Sequence, residues 1–233
     1  MPKKCDREDR LDQFVPEVLF VQVRTRHTPT FGVARLVLAP DEMVLVDPLT
    51  LMATSYGLSV DVKGAGTKAV ALCTAGAEGG WIDAAPVLPG DLHLVELDGA
   101  HGWCVSRLGW VASSSTVAMN PEAPPLQALF GGLEGFLNYA HGQGGVVLAC
   151  CGALDLVTLE AGEAVTIASD YVMAFADTVQ CRLRPSVPDA AQSIQTGEGL
   201  VFDFAGPGAV LTQTRGPRRL TTWLRANGVS SRS

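Results

Sequence analysis

The sequence has few charges, with only 18% Asp, Glu, Lys and Arg against 47% hydrophobic residues over 233 positions. A chain of this length and apolarity can bury a substantial core, as one large domain or two small ones. No uninterrupted apolar stretch reaches the ~18 residues that a spanning helix needs, because Gly, Asp, Glu or Arg breaks every run, so no integral membrane segment is expected. The mixed-sign opening Met1-Pro-Lys-Lys-Cys-Asp-Arg-Glu-Asp-Arg10 is not followed by an apolar segment of the kind a secretory signal carries. There is no Cys-x-x-Cys, no His-x-His, no Gly-x-Ser-x-Gly and no Gly-x-Gly-x-x-Gly. These gaps disfavour zinc ribbons, thioredoxin-like redox sites, cupin metal centres, serine hydrolases and dinucleotide-binding enzymes in turn. Basic charge is also short: the net charge is -7, so a long polyanion meets a repulsive average field and nucleic acid is disfavoured as a partner.

The chain is rich in turn residues, with 25 glycines and 14 prolines and no low-complexity tract. Many short elements separated by turns are expected, which favours an all-β fold. The six cysteines (Cys5, Cys73, Cys104, Cys150, Cys151, Cys181) lie mostly in apolar segments without a framework spacing, which suits a reducing compartment and a cytoplasmic location.

Internal similarity is the strongest positive signal. Leu38 to Ala53 (LAPDEMVLVDPLTLMA) lies without a gap over Leu159 to Ala174 (LEAGEAVTIASDYVMA), pairing Glu42 with Glu163, Val44 with Val165 and Met52 with Met173. A second block sets Glu134-Gly135 over Glu198-Gly199, and Gly142-Gln-Gly144-Gly-Val146 over Gly206-Pro-Gly208-Ala-Val210 at the same offset. A diverged middle copy opens at Pro89-Gly90, and Trp110-Val111-Ala112 takes the place of Leu51-Met52-Ala53. The offsets imply a period of roughly 60 residues, or three antiparallel units over about 31–83, 84–150 and 151–215 of a single domain 1–233. Each unit reads as turn, strand, turn, strand. Pro40-Asp41, Pro89-Gly90 and Ala161-Gly162 occupy equivalent turns, and Leu58, Val60, Val62 alternate as Val179, Cys181, Leu183 do. The Gly-x-Gly pairs at 142/144 and 206/208 are expected to make tight hairpins. One short helix is expected at about 217–227, with Pro217 in its first turn, Leu220, Trp223 and Leu224 on one face and Asn227-Gly228 as its stop. Val229 to Ser233 is expected to fray, and Pro121-Glu-Ala-Pro-Pro125 reads as a loop.

The run Gly197-Glu-Gly-Leu-Val-Phe-Asp-Phe-Ala-Gly-Pro-Gly-Ala-Val-Leu-Thr-Gln-Thr-Arg215, with Gly216-Pro217 and Trp223-Leu224, closely resembles the closing motif of the altered-inheritance-of-mitochondria (mitochondrial biogenesis) family, long catalogued in bacteria as a domain of unknown function. Ala34-Arg-Leu-Val-Leu38 through Glu42, Met52 and Ala53 is similar to its first repeat, and Pro86 with Pro89-Gly90-Asp91 to its middle turn, so the resemblance spans about residues 31 to 225. It implies three β-sandwich or double-stranded β-helix-like units, akin to that of the tryptophan RNA-binding attenuation protein, and assembly as a homotrimeric ring. It offers no established catalytic residue to carry over. The fungal relative's link to the mitochondrial inner membrane does not transfer to a chain in which no targeting segment is read.

Several residues invite chemistry, each beside a plainer reading. His93 and His101 flank a turn at Asp98-Gly99 and would share a ligand or metal only if they faced each other across a hairpin; surface histidines are the default. Cys150-Cys151 as strand neighbours point to opposite faces, so burial is favoured over a redox pair. Gly64-Ala-Gly-Thr-Lys68 lacks the spacing of a phosphate loop. The recurrent Glu42/Glu163 and Glu134/Glu198 suggest carboxylates that accept backbone N–H bonds beside turns. Arg215, Arg218, Arg219 and Arg225 surround Trp223 and fit an anionic partner or phospholipid surface or, more simply, a solvated helix face. The expectation is therefore a non-enzymatic homo-oligomeric scaffold or interaction protein with no catalytic, cofactor-binding or metal residues and no cofactor. The alternatives are a ring that binds a small molecule or RNA, and then a cupin-type metalloenzyme.

Overall fold

The computed structural model describes residues 21–66, 69–132, 135–186 and 199–228. Lys68, Glu134, Glu198, Cys5 and the expected frayed end 229–233 lie outside them.

The chain is all-β, as the turn-rich composition requires. Strand β1 (Gln22–Arg26) leads into β2 (Val33–Leu38), β3 (Met43–Val46), β4 (Leu51–Thr54), β5 (Ser59–Lys63), β6 (Val70–Thr74) and β7 (Gly80–Ala84). Next come β8 (Leu92–Asp98), β9 (Trp103–Ser106), β10 (Trp110–Ser114), β11 (Val117–Asn120), helix α1 (Pro124–Phe130) and the long β12 (Leu137–Ala149). The last group is β13 (Leu154–Leu159), β14 (Ala164–Ala168), β15 (Val172–Ala176), β16 (Gln180–Pro185), β17 (Leu200–Ala205) and β18 (Gly208–Gln213), closed by α2 (Pro217–Ala226).

One antiparallel pairing scheme occurs in each group. In the first group, the opening strand β2 and the third strand β4 flank β7, while β3 and β5 flank β6. In the last, β13 and β15 flank β18, while β14 and β16 flank β17. In the middle group β8 and β10 flank the second half of β12, and β9 and β11 flank its first half. The third strand of every group carries a register irregularity at the same place, between Leu51 and Ala53, between Trp110 and Ala112, and between Val172 and Ala174. Two further pairings join the groups: β10 with β3 and β15 with β9.

The cores follow from strand alternation. Leu36, Val44, Val46, Ala71, Cys73 and Ile82 form the first, completed by Val111, Ala112 and Val147 from the second group. Phe175, Phe202 and Phe204 centre another, completed by Cys104, Leu126, Phe130 and Phe136 from the second group. A third joins Val95, Leu97, Val105, Val146 and Leu148 to Met173, Ala174 and Leu211.

Three local expectations change. Gly142 and Gly144 have φ of 116° and 134°, but they lie inside β12, which runs on where the last group breaks at Gly206–Gly208; nor is that break a hairpin, because β17 pairs with β14 and β16 while β18 pairs with β13 and β15. Glycine is needed there for a distorted strand, not for a hairpin: a Cβ on Gly142 would sit 2.4 Å from the Thr116 carbonyl oxygen. The Pro-rich stretch at 121–125 opens a second helix instead of remaining loop, because Pro124 and Pro125 occupy the first turn, where no N–H is missed, and Leu126 and Phe130 fall on one buried face. Finally, Asp41 and Gly162 do turn with φ of 58° and 89°, whereas Gly90 is required for space: a Cβ there would lie 1.8 Å from the Cys150 carbonyl oxygen.

Replacing Gly90 with Ala must therefore push the Cys150–Gly152 backbone away, and a loss of about 2 kcal/mol or more is expected. Chemical denaturation that places Gly90→Ala within about 0.5 kcal/mol of wild type, the usual spread for an uncrowded surface site, would refute the close approach.

Candidate functional site

The residues picked out for chemistry are dispersed. His93 is the second residue of β8, opposite Leu148, and its basicity is lowered by burial. His101 follows the far end of the same strand, roughly 17 Å along it. There its ring Nδ1 meets Asp98 at 3.3 Å, and the His101 and Ala100 backbone N–H groups donate to the Asp98 carboxylate, holding it down at about 2. β8 and β9 pair with β12 and not with each other, so the two histidines do not meet across a hairpin. Among the described residues, no group of three or more His, Cys, Asp or Glu is placed to hold a metal ion.

Cys150 and Cys151 are both buried, as expected, but they follow the end of β12 at Ala149 and are not strand neighbours on opposite faces. The Cys150 thiol lies against the Asp91 and Gly152 carbonyls, and the Cys151 N–H donates to Gln213 Oε1 at 2.9 Å. Burial pushes the thiols of Cys73 and Cys150 up to about 11 and that of Cys104 to about 12. Such groups are poor nucleophiles at neutral pH.

Of the repeated acids, the pair Glu42 and Glu163 does what its position suggests. Glu42 accepts the Ala39 N–H at 2.7 Å and Glu163 accepts the Glu160 N–H at 2.8 Å, each closing the turn before the second strand of its group. In α2 no residue is buried, Trp223 and Leu220 are exposed, Arg218 lies over the Phe136 ring and Arg219 over Tyr171.

Two strand edges differ from their counterparts in the other groups, which no motif signalled. Among the described residues, β4 pairs only with β7, and β14 only with β17. Their counterparts elsewhere are paired on both sides: β10 and β15, like β4, are third strands, and β3 and β9, like β14, are second strands. Met52 of β4 is 58% exposed, while Val111 and Met173 at the same position of β10 and β15 are each 1% exposed. Leu49 and Tyr56 beside β4 are exposed as well.

Each edge is braced one strand inward by a carboxylate. Asp83 of β7, only 3% exposed, receives both arms of Arg35 at 2.8 Å and Arg26 at 2.6 Å, and Arg35 also stacks on Trp81. The Arg35 hydrogen bonds, opposed by burial and helped by Arg26, hold the Asp83 carboxyl below the usual range. Asp203 of β17 is likewise lowered by Arg184, at 2.6 and 3.1 Å, and by the Thr166 hydroxyl of β14 at 2.7 Å.

A family model described as mitochondrial biogenesis AIM24 matches residues 23–215. A Streptococcus pyogenes protein solved by X-ray crystallography shares this fold at a TM-score of 0.72 and 19% identity, with 89% of this chain and 99% of that chain covered. No curated protein matches the sequence.

Because Asp83 is a stronger acid folded than unfolded, its contribution is present above the unfolded carboxyl value of about 3.9 and is lost as pH falls through the lower folded value. Thermal unfolding from pH 7 to 2 is expected to show Asp83→Asn converging on wild type at the acid end; a gap that stays constant over that range would reject the assignment. In a Cys5→Ser background, Ellman's reagent at pH 7.5 should label Cys73, Cys104 and Cys150 only after denaturation, and rapid native labelling of any of the three would contradict their burial.

Proposed function

The chain belongs to the mitochondrial biogenesis AIM24 family, and from that premise we propose that it is a non-enzymatic scaffold of three equivalent β-units that assembles head to tail with copies of itself into a closed trimer. The observation that carries this reading is the contrast along equivalent strands. Where one unit meets the next inside the chain, the third strand of the later unit pairs with the second strand of the earlier one, and both become buried. Among the described residues one strand of each kind has a free side, β4 and β14.

The internal junctions supply the register. Ala112 stands opposite Val46 and Ala174 opposite Val105. By the same rule Ala53 stands opposite Ile167 of the partner subunit and Thr54 opposite Thr166 of the partner subunit. The contact is heterologous, so a rotation that closes gives a ring and one that does not gives a filament. A ring also covers these two edges, which would otherwise template uncontrolled pairing. The choice of three copies rests on the family resemblance.

Among the described residues no helix is long and apolar enough to cross a membrane. The activity proposed here is presentation of a surface, not turnover.

Light scattering at micromolar concentration is expected to return three times the 24.5 kDa chain mass. Met52→Asp places a charge where equivalent residues are dry, and should weaken association roughly a hundredfold or more. A wild-type monomer, or a Met52→Asp protein that associates as tightly as wild type, would end this reading.

A further inference from the structure

Strand pairing fixes which residues of the three groups are equivalent. On the third strands Ala53, Ala112 and Ala174 stand opposite Asp83, Val147 and Leu211. On the first strands Arg35, Leu94 and Leu156 stand opposite the same three residues. At both internal junctions this row is covered by the group before it. The first core holds Leu36 of β2 together with Ala112 and Val147, with Leu94 packed against them. The third core holds Val95, at the position of Leu36 on β8, together with Ala174 and Leu211. One face of a group's first strand therefore lies over the next group's row.

The first group carries charge where the others are aliphatic. Asp83 takes the place of Val147 and Leu211, and Arg35 that of Leu94 and Leu156. Leu156 is 56% exposed, so this end of the row is the rim of a junction, where charges keep part of their water. Arg24 of β1 stands opposite Arg35, and Arg26 lies two residues further along the same face, with its guanidinium on Asp83. Three guanidinium groups thus share one face with one carboxylate, in a chain whose net charge is -7. Arg24 is exposed and donates to Gln22 Oε1 at 2.9 Å.

The covering face of the last group is charged at the matching point. On β2 the residue two before Leu36 is Ala34, fully buried in the first core beside the second group's Val147. Its equivalent on β13 is Asp155, two before Val157 and on the same face. Asp155 is exposed, and among the described residues its carboxylate is in no ion pair.

We infer that Asp155 of one copy docks against the cluster of Arg24, Arg26 and Arg35 on the next, so that the contact between copies is latched by charge where the internal junctions are closed by aliphatic side chains. This rests on the head-to-tail assembly proposed above, which lays β13 over the first group of the next copy as β2 lies over the second group and β8 over the third. The difference in chemistry has a physical reason. An internal junction forms once, within one chain, whereas a contact between chains has to leave each end soluble before it forms, and a charged row does so. The same charges select the order of assembly: two first groups set face to face would place arginine against arginine.

The test is a charge swap in the full chain, with association constants measured by analytical ultracentrifugation at low salt. Asp155→Lys and Arg24→Glu are each expected to weaken association about tenfold or more, and the two together to restore it to within about threefold of wild type. A folding defect in either single variant would not cancel in the pair. An oligomer that both single variants leave unchanged within about twofold, or in which their losses add instead of cancelling, overturns this inference and leaves the pairing of β4 with β14 standing. A wild-type monomer removes both.

Discussion

The structure depends on one arrangement, the pairing of a third strand in one group with a second strand in its neighbour, at β3 with β10 and at β9 with β15. Because the faces of a strand alternate, each such junction puts residues of one group under the core of another. Val111 and Val147 enter the first core, and Met173 and Leu211 enter the core around Leu148. No group is closed by its own strands alone. Burial of apolar area, the main source of stability in a chain with 18% charged residues, is therefore shared across group boundaries.

The polar residues serve this arrangement. Glu42 and Glu163 hold the turns that launch second strands, and Asp83 and Asp203 brace the strands next to the two open edges. A carboxylate clamped by arginine between neighbouring strands fixes their spacing while leaving the backbone of β4 and β14 available.

Much of the fold was legible because the segments with most to bury repeat most faithfully. Leu38 to Ala53 and Leu159 to Ala174 both give strand, 3-10 turn and strand, with an irregularity at the same residue of the later strand. The C-terminal helix followed from Pro217 and Asn227, which mark its ends as read. The straight passage through Gly142 and Gly144 was not legible, since a positive φ serves a hairpin and a distorted strand equally well. Helix α1 was hidden by its prolines, which read as loop until the residues after them are seen to bury Leu126 and Phe130. Nor could sequence distinguish the open edge from the closed one: methionine occupies both position 52 and position 173, exposed in one and buried in the other. That difference belongs to position in the series and not to residue type.

The unbroken strand β12 separates this chain from a string of independent beads. Its first half is the seat of β9 and β11 and its second half that of β8 and β10. The middle group thus has a tie-rod where its neighbours have a hinge. A pull or a thermal fluctuation that loosens one layer is carried along continuous backbone into the other, and through β3 and β15 into both flanking groups. Melting of the middle alone is suppressed, and the chain responds to stress as one cooperative body.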